Sequence, residues 1–250
     1  MRQRTTVPEP FITNSIVDDL MDAASARLVE TLYFDAVDLC VRALGLAVKA
    51  ADWDRVARIA LPLQEARRQI RQLAVDVPTI TIIDTQAQLR RAVKPGCYLV
   101  QPPLIGAEAR AFAASAHKRR VPVFVLTREP MTDAGLWPIV GVSSISVRTK
   151  VDPPPGVERD AKSPTRDRVT DGIPLDWFES AAEALGDAGF ESVDPSWPAA
   201  HRVEDLIERL EAVPEHEKLH QHLADAARDA MREPAPTTPR RRGIDHPYSF

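Results

Sequence analysis

The segment His216-Glu217-Lys218-Leu219-His220 has the most specific chemical spacing in the chain. On a helix, residues four apart share one face. Two imidazoles so placed can ligate Zn²⁺ while the glutamate between them serves as general base toward a metal-bound water. A second set lies at the ends of apolar runs. Asp84, Thr127 and Arg128 follow strand-like stretches, and open parallel sheets hold ligands beyond the carboxyl ends of their strands. A carboxylate, a hydroxyl and a guanidinium there would suit a nucleotide or another anion. Gly106, ahead of a helical pattern, is a further anion-site candidate.

The H-E-x-x-H spacing resembles the zincin metalloproteases, and the resemblance implies a zinc-dependent hydrolase with His216 and His220 as ligands and Glu217 as base. The surroundings depart from that family. Lys218 fills a place the family keeps uncharged, and Pro214 interrupts the helix that should continue upstream. The extended motif would need Gly and His where Leu223 and Ala226 stand, and Glu233 is the sole glutamate downstream. Read as a helix start, the same segment uses Glu215 and Glu217 to complement the helix dipole. His201 and His222 would matter only by converging on it. Other catalytic patterns are missing: there is no G-x-G-x-x-G, no G-x-x-x-x-G-K-[ST] and no G-x-S-x-G. Ten glycines leave little backbone to cradle phosphate. The basic run His117-Lys118-Arg119-Arg120 suits a helix C-terminus, and Arg240-Arg241-Arg242 lies in a proline-rich tail, so nucleic acid binding is not expected.

These residues must be held by alternating elements. Four short β-type runs occupy residues 79–83, 97–100, 123–126 and 145–151, with helical periodicity over 86–93 and 107–119 between the first three. Strand–helix–strand alternation predicts a small parallel sheet, with about four strands and both faces covered. Upstream, apolar positions recur at helical spacing from Leu32 to Ala50 and from Val56 to Leu73. Asp52 is placed to cap the second of these helices, and Pro62 predicts a kink or an early stop. The turn Ala51-Asp52-Trp53 and the small Ala60 resemble a tetratricopeptide hairpin over residues 32–74, with Val56 where that family favours alanine. No second copy follows at a period of about 34 residues. The resemblance implies a protein-binding surface.

The division that follows is a flexible N-terminus over 1–13, a helical hairpin segment over 14–76, a small α/β unit over 77–150, a proline-rich linker over 151–172, an acidic helical segment over 173–232 and a disordered tail over 233–250. Charge is uneven: residues 77–170 carry 14 positive and 8 negative groups, while 171–232 carry 5 positive and 15 negative. Docking of the acidic helices on the basic α/β unit within one molecule accounts for this asymmetry. The amino terminus has no apolar stretch and the two cysteines, Cys40 and Cys97, lie far apart, so a cytoplasmic location with buried free thiols is expected. High Ala, Arg and Pro content fits a GC-rich bacterial genome. The sequence thus describes an α/β protein with flanking helices. Its leading function is a non-catalytic scaffold or regulator that binds another protein through helical surfaces and needs no cofactor. The alternatives are the zinc hydrolase and a nucleotide- or anion-responsive regulator.

Overall fold

A computed structural model describes residues 9–160, 163–169, 172–238 and 240. Three helices open the chain: α1 (Glu9–Val29), α2 (Tyr33–Lys49) and α3 (Trp53–Val75). Asp52 caps α3, its carboxylate accepting from the Arg55 amide at 3.1 Å, and Arg55 in turn pairs with Asp18 of α1 at 2.7 Å. The helix continues through Pro62, so the early stop expected there does not occur. Proline removes one backbone hydrogen bond, and the buried face formed by Val56, Ile59, Ala60, Leu63 and Ala66 outweighs that loss.

The α/β unit runs β1 (Ile80–Ile83), α4 (Gln86–Leu89), β2 (Gly96–Val100), α5 (Gly106–Lys118), β3 (Val123–Arg128), β4 (Trp137–Val142) and β5 (Ser146–Val151). The sheet has five strands in the order β1-β2-β3-β4-β5. The first three are parallel, in the register Ile80↔Cys97 and Cys97↔Phe124, and β4 and β5 are antiparallel. The sheet is therefore mixed, and β4 adds a strand to the four expected. Pro138 and Gly141 hide β4 from pattern reading, because both residues are poor strand formers. Every residue of β2 is buried, as a strand covered on both faces must be. Tyr98 and Val100 meet Phe112 and Ala109 of α5 on one face. Cys97, Leu99, Phe124 and Leu126 join the main core on the other, where Phe178 stands edge-on to Phe124 at 5.1 Å. Burying a side chain such as Phe178 contributes about 1.5–3 kcal/mol. Both cysteines are buried and free, and desolvation pushes each thiol up to about 11.

Two strands, β6 (Val157–Asp160) and β7 (Ser163–Val169), pair as an antiparallel hairpin within the stretch read above as a linker. Three helices follow: α6 (Leu175–Glu191), α7 (Ala199–Ala212) and α8 (Glu217–Ala230). Helix α8 packs on both α3 and α7, and α6 covers β4 and β5, so the two helical segments meet directly. The acidic helices do dock on the α/β unit, but no ion pair among the described residues joins residues 77–170 to 171–232. The basic run at the end of α5 docks on α2, with Arg120 at 2.6 Å from Asp35 and His117 at 2.7 Å from Asp38. Many acids of the last three helices instead find cations within their own segment, among them Arg202, Arg209 and Lys218. No helix among the described residues is long and apolar enough to cross a membrane.

Candidate functional site

A cleft of about 800 Å³ opens at the carboxyl ends of β1, β2 and β3. Asp84 enters it from β1, Gln101, Pro102 and Pro103 from β2, Arg128 and Pro130 from β3, and Asp167 from β7. The turn after β1 is held by a capping box, in which Thr85 caps α4 and Gln88 Oε1 accepts from the amides of Asp84 and Thr85, each at 2.9 Å. The cap of α4 is thus Thr85 and not Asp84. With Thr85 and Gln88 holding the backbone, the Asp84 carboxylate has no partner among the described residues.

Arg128 sits at the floor of the cleft with its side chain 4% exposed. It is a buried ion-pair partner rather than a surface one. Its guanidinium lies 2.9 Å from Asp167 Oδ1, donates to Gln101 Oε1 at 2.9 and 3.2 Å, and stacks 4.2 Å above the Trp137 ring. The second oxygen of Asp167 accepts from the Trp137 indole N–H. Burial lowers the Arg128 pKa and Asp167 opposes that shift. A guanidinium only donates, so the Gln101 atom facing it must be the oxygen, and its amide nitrogen is left without a partner among the described residues. Asp167, Gln101 and Trp137 are the residues of this candidate site that the sequence did not single out. Gln101 carried one signal, its position at a strand end, whereas Asp167 stood in a stretch without strand-like patterning.

Thr127, grouped above with Asp84 and Arg128, is on the other side. Successive side chains alternate across a strand, and Thr127 lines a separate cavity of about 110 Å³ together with Gly106, Glu183 and His216.

The H-E-x-x-H residues are close in sequence and point apart in space. His216 is the N-cap of α8, its Nδ1 accepting from the Leu219 amide at 3.3 Å. That bond places the proton of the neutral ring on Nε2, which lies 3.4 Å from Asp187 and 3.6 Å from Glu183 and makes no aligned hydrogen bond with either. The ring presses onto α6 at Gly186, where a Cβ would stand 2.1 Å from it. His220 faces elsewhere: Nδ1 donates to the His216 carbonyl at 2.9 Å and Nε2 meets Arg67 at 3.1 Å. Burial, reinforced by Arg67, brings the His220 pKa down to about 3. Glu217 is taken by Arg71 at 3.0 Å and Gln64 at 3.4 Å.

Glu183, Asp187 and His216 are the group whose donor atoms gather most like a metal site, all within 4.8 Å of one another. The donor chemistry does not fit a metal. A ligating imidazole donates its second ring N–H, whereas Nδ1 of His216 accepts. The two carboxylates already hold the Lys218 ammonium, at 2.7 and 3.0 Å. His201 is buried on α7 and His222 stacks on Phe190 at 3.6 Å, and neither belongs to that gathering. Arg240 lies against α7, pairing with Glu208 at 2.5 Å and with Asp205, while Arg241 and Arg242 fall outside the described residues.

No protein-family model matches the chain, and neither the curated proteins nor the solved structures contain a match.

Proposed function

We propose that this chain is a non-catalytic regulatory protein whose α/β unit binds a small polar ligand in the strand-end cleft, while its helical layers present the bound state to another protein. The observation that carries this reading is the convergence of Asp84, Gln101 and the buried Arg128–Asp167 pair at the carboxyl ends of three parallel strands. Small-molecule sites are typically clefts of about 300–1,000 Å³ with a few fixed polar groups, and open sheets bind ligands at this edge. Binding is favoured over catalysis because the described lining contains no Ser, Thr, Cys, His, Lys or Tyr, and the buried pair is already satisfied. For the partner surface, the outer layer formed by α1 and α2 is the candidate. Its connecting turn leaves Val29 86% exposed and Leu32 43% exposed.

The test is thermal unfolding of the full chain against a broad metabolite library. A ligand at 100 times its Kd adds about 2.7 kcal/mol of stability, and the shift should vanish in Asp84→Ala. A library without a single Asp84-dependent stabiliser would sink the reading.

A further inference from the structure

The partners already made inside the cleft restrict what can bind there. The Arg128 charge is matched by Asp167, whose two oxygens are occupied by Arg128 and by the Trp137 indole. Gln101 offers only its amide N–H groups, because its oxygen serves Arg128. Among the described residues, what remains open is one carboxylate, Asp84, and one donor group, the Gln101 amide, beside Pro102, Pro103 and Pro130. With two carboxylates and one guanidinium, the described lining carries a formal charge of −1. An anion entering it would meet Asp84 with no uncommitted cation among the described residues to offset the repulsion.

We infer that the cleft takes a neutral molecule through a vicinal diol, the pair of adjacent hydroxyls of a sugar or ribosyl group, and not through a phosphate. This rests on the cleft being a binding site, as proposed above. The two oxygens of an ionised carboxylate accept from two adjacent O–H donors, and a hydroxyl oxygen can accept in return from the Gln101 amide. Proline rings present C–H surface suited to the apolar face of a sugar, and their fixed φ keeps the walls in place before binding. An amine would satisfy the charge but would find a single free carboxylate and no aromatic face in the described lining.

The experiment is calorimetric titration of the full chain with adenosine, ribose, 2′,3′-dideoxyadenosine, pyrophosphate and spermidine. Each is repeated on Asp84→Ala, with its melting temperature measured to show that it folds. Adenosine or ribose should bind, and adenosine affinity should fall at least tenfold when the two hydroxyls are absent and again in Asp84→Ala. Tighter binding of pyrophosphate or spermidine than of either diol overturns the inference, as does equal binding of adenosine and its dideoxy form. If such a competitor loses tenfold in Asp84→Ala, the cleft stands as a site and only the diol falls. If every probe and the wider library fail to bind, both fall together.

Discussion

The strand-end cleft and the segment around His216 hold similar groups and use them in opposite ways. In the cleft, a buried guanidinium, a buried carboxylate and the Gln101 carbonyl oxygen satisfy one another and leave Asp84 and the Gln101 amide nitrogen open. Around His216, two histidines, three acids and a lysine are nearly all turned onto neighbours: His220 to Arg67, Glu217 to Arg71, Lys218 to Glu183 and Asp187. The first arrangement keeps two groups free beside a paired floor, and the second joins α3, α6 and α8. The spacing of a motif decides which helical face its residues share. Whether their polar atoms meet is decided by the hydrogen bonds those side chains make elsewhere.

The largest blow to this contrast should come from Arg128→Met. Removing one member of a buried pair leaves Asp167 charged and uncompensated, a loss of about 3–5 kcal/mol by denaturant unfolding. A loss under 1 kcal/mol would mean the floor of the cleft is not rigid. Next is the joint between α6 and α8. Gly186→Ala puts a methyl into the His216 ring and should cost about 1–3 kcal/mol, without changing any ligand affinity at the cleft.

Acid should act on the neighbouring seam between α3 and α8, where His220 meets Arg67. His220 is neutral in the fold, with its pKa held near 3 against an ordinary 6.5, so the unfolded chain binds the proton first. Stability from this site is complete above pH 6.5 and declines as pH falls toward 3, with a slope of at most about 1.4 kcal/mol per pH unit for one proton. Unfolding between pH 7 and 5 checks the sign, and His220→Gln should flatten the slope. Thr85→Ala removes the cap of α4 and should cost about 1 kcal/mol, with weaker ligand binding as the Asp84 turn loosens. Smallest of all, Asp84→Ala should change stability by no more than about 0.5 kcal/mol, because its carboxylate supports nothing in the fold. A larger loss would make Asp84 structural and end its role as the open group.

Much of the architecture was readable from hydrophobic spacing. The runs at 79–83, 97–100, 123–126 and 145–151 are strands within a residue or two, and the α3 stripe is buried from Val56 to Ala66, with Ile70 half-buried and Leu73 exposed. Strand β4 was not readable, since Pro138 and Gly141 weaken its signature and its pairing with β3 and β5 secures it instead. The β6–β7 hairpin was hidden by prolines and charges, and with it Asp167. Asp84 and Arg128 were legible as candidates because strand ends are. Their difference was not, because one is engaged and the other free through contacts far apart in sequence: Gln88 behind Asp84, and Asp167 with Trp137 around Arg128.

After α8 the chain does not simply leave the molecule. Arg240 returns to the acidic row of α7, gripping Glu208 and Asp205 with its side chain 12% exposed. A pull applied at residue 240 would therefore load that grip before it could peel α8 from α3, and a tether fixed at that residue would sit beside α7.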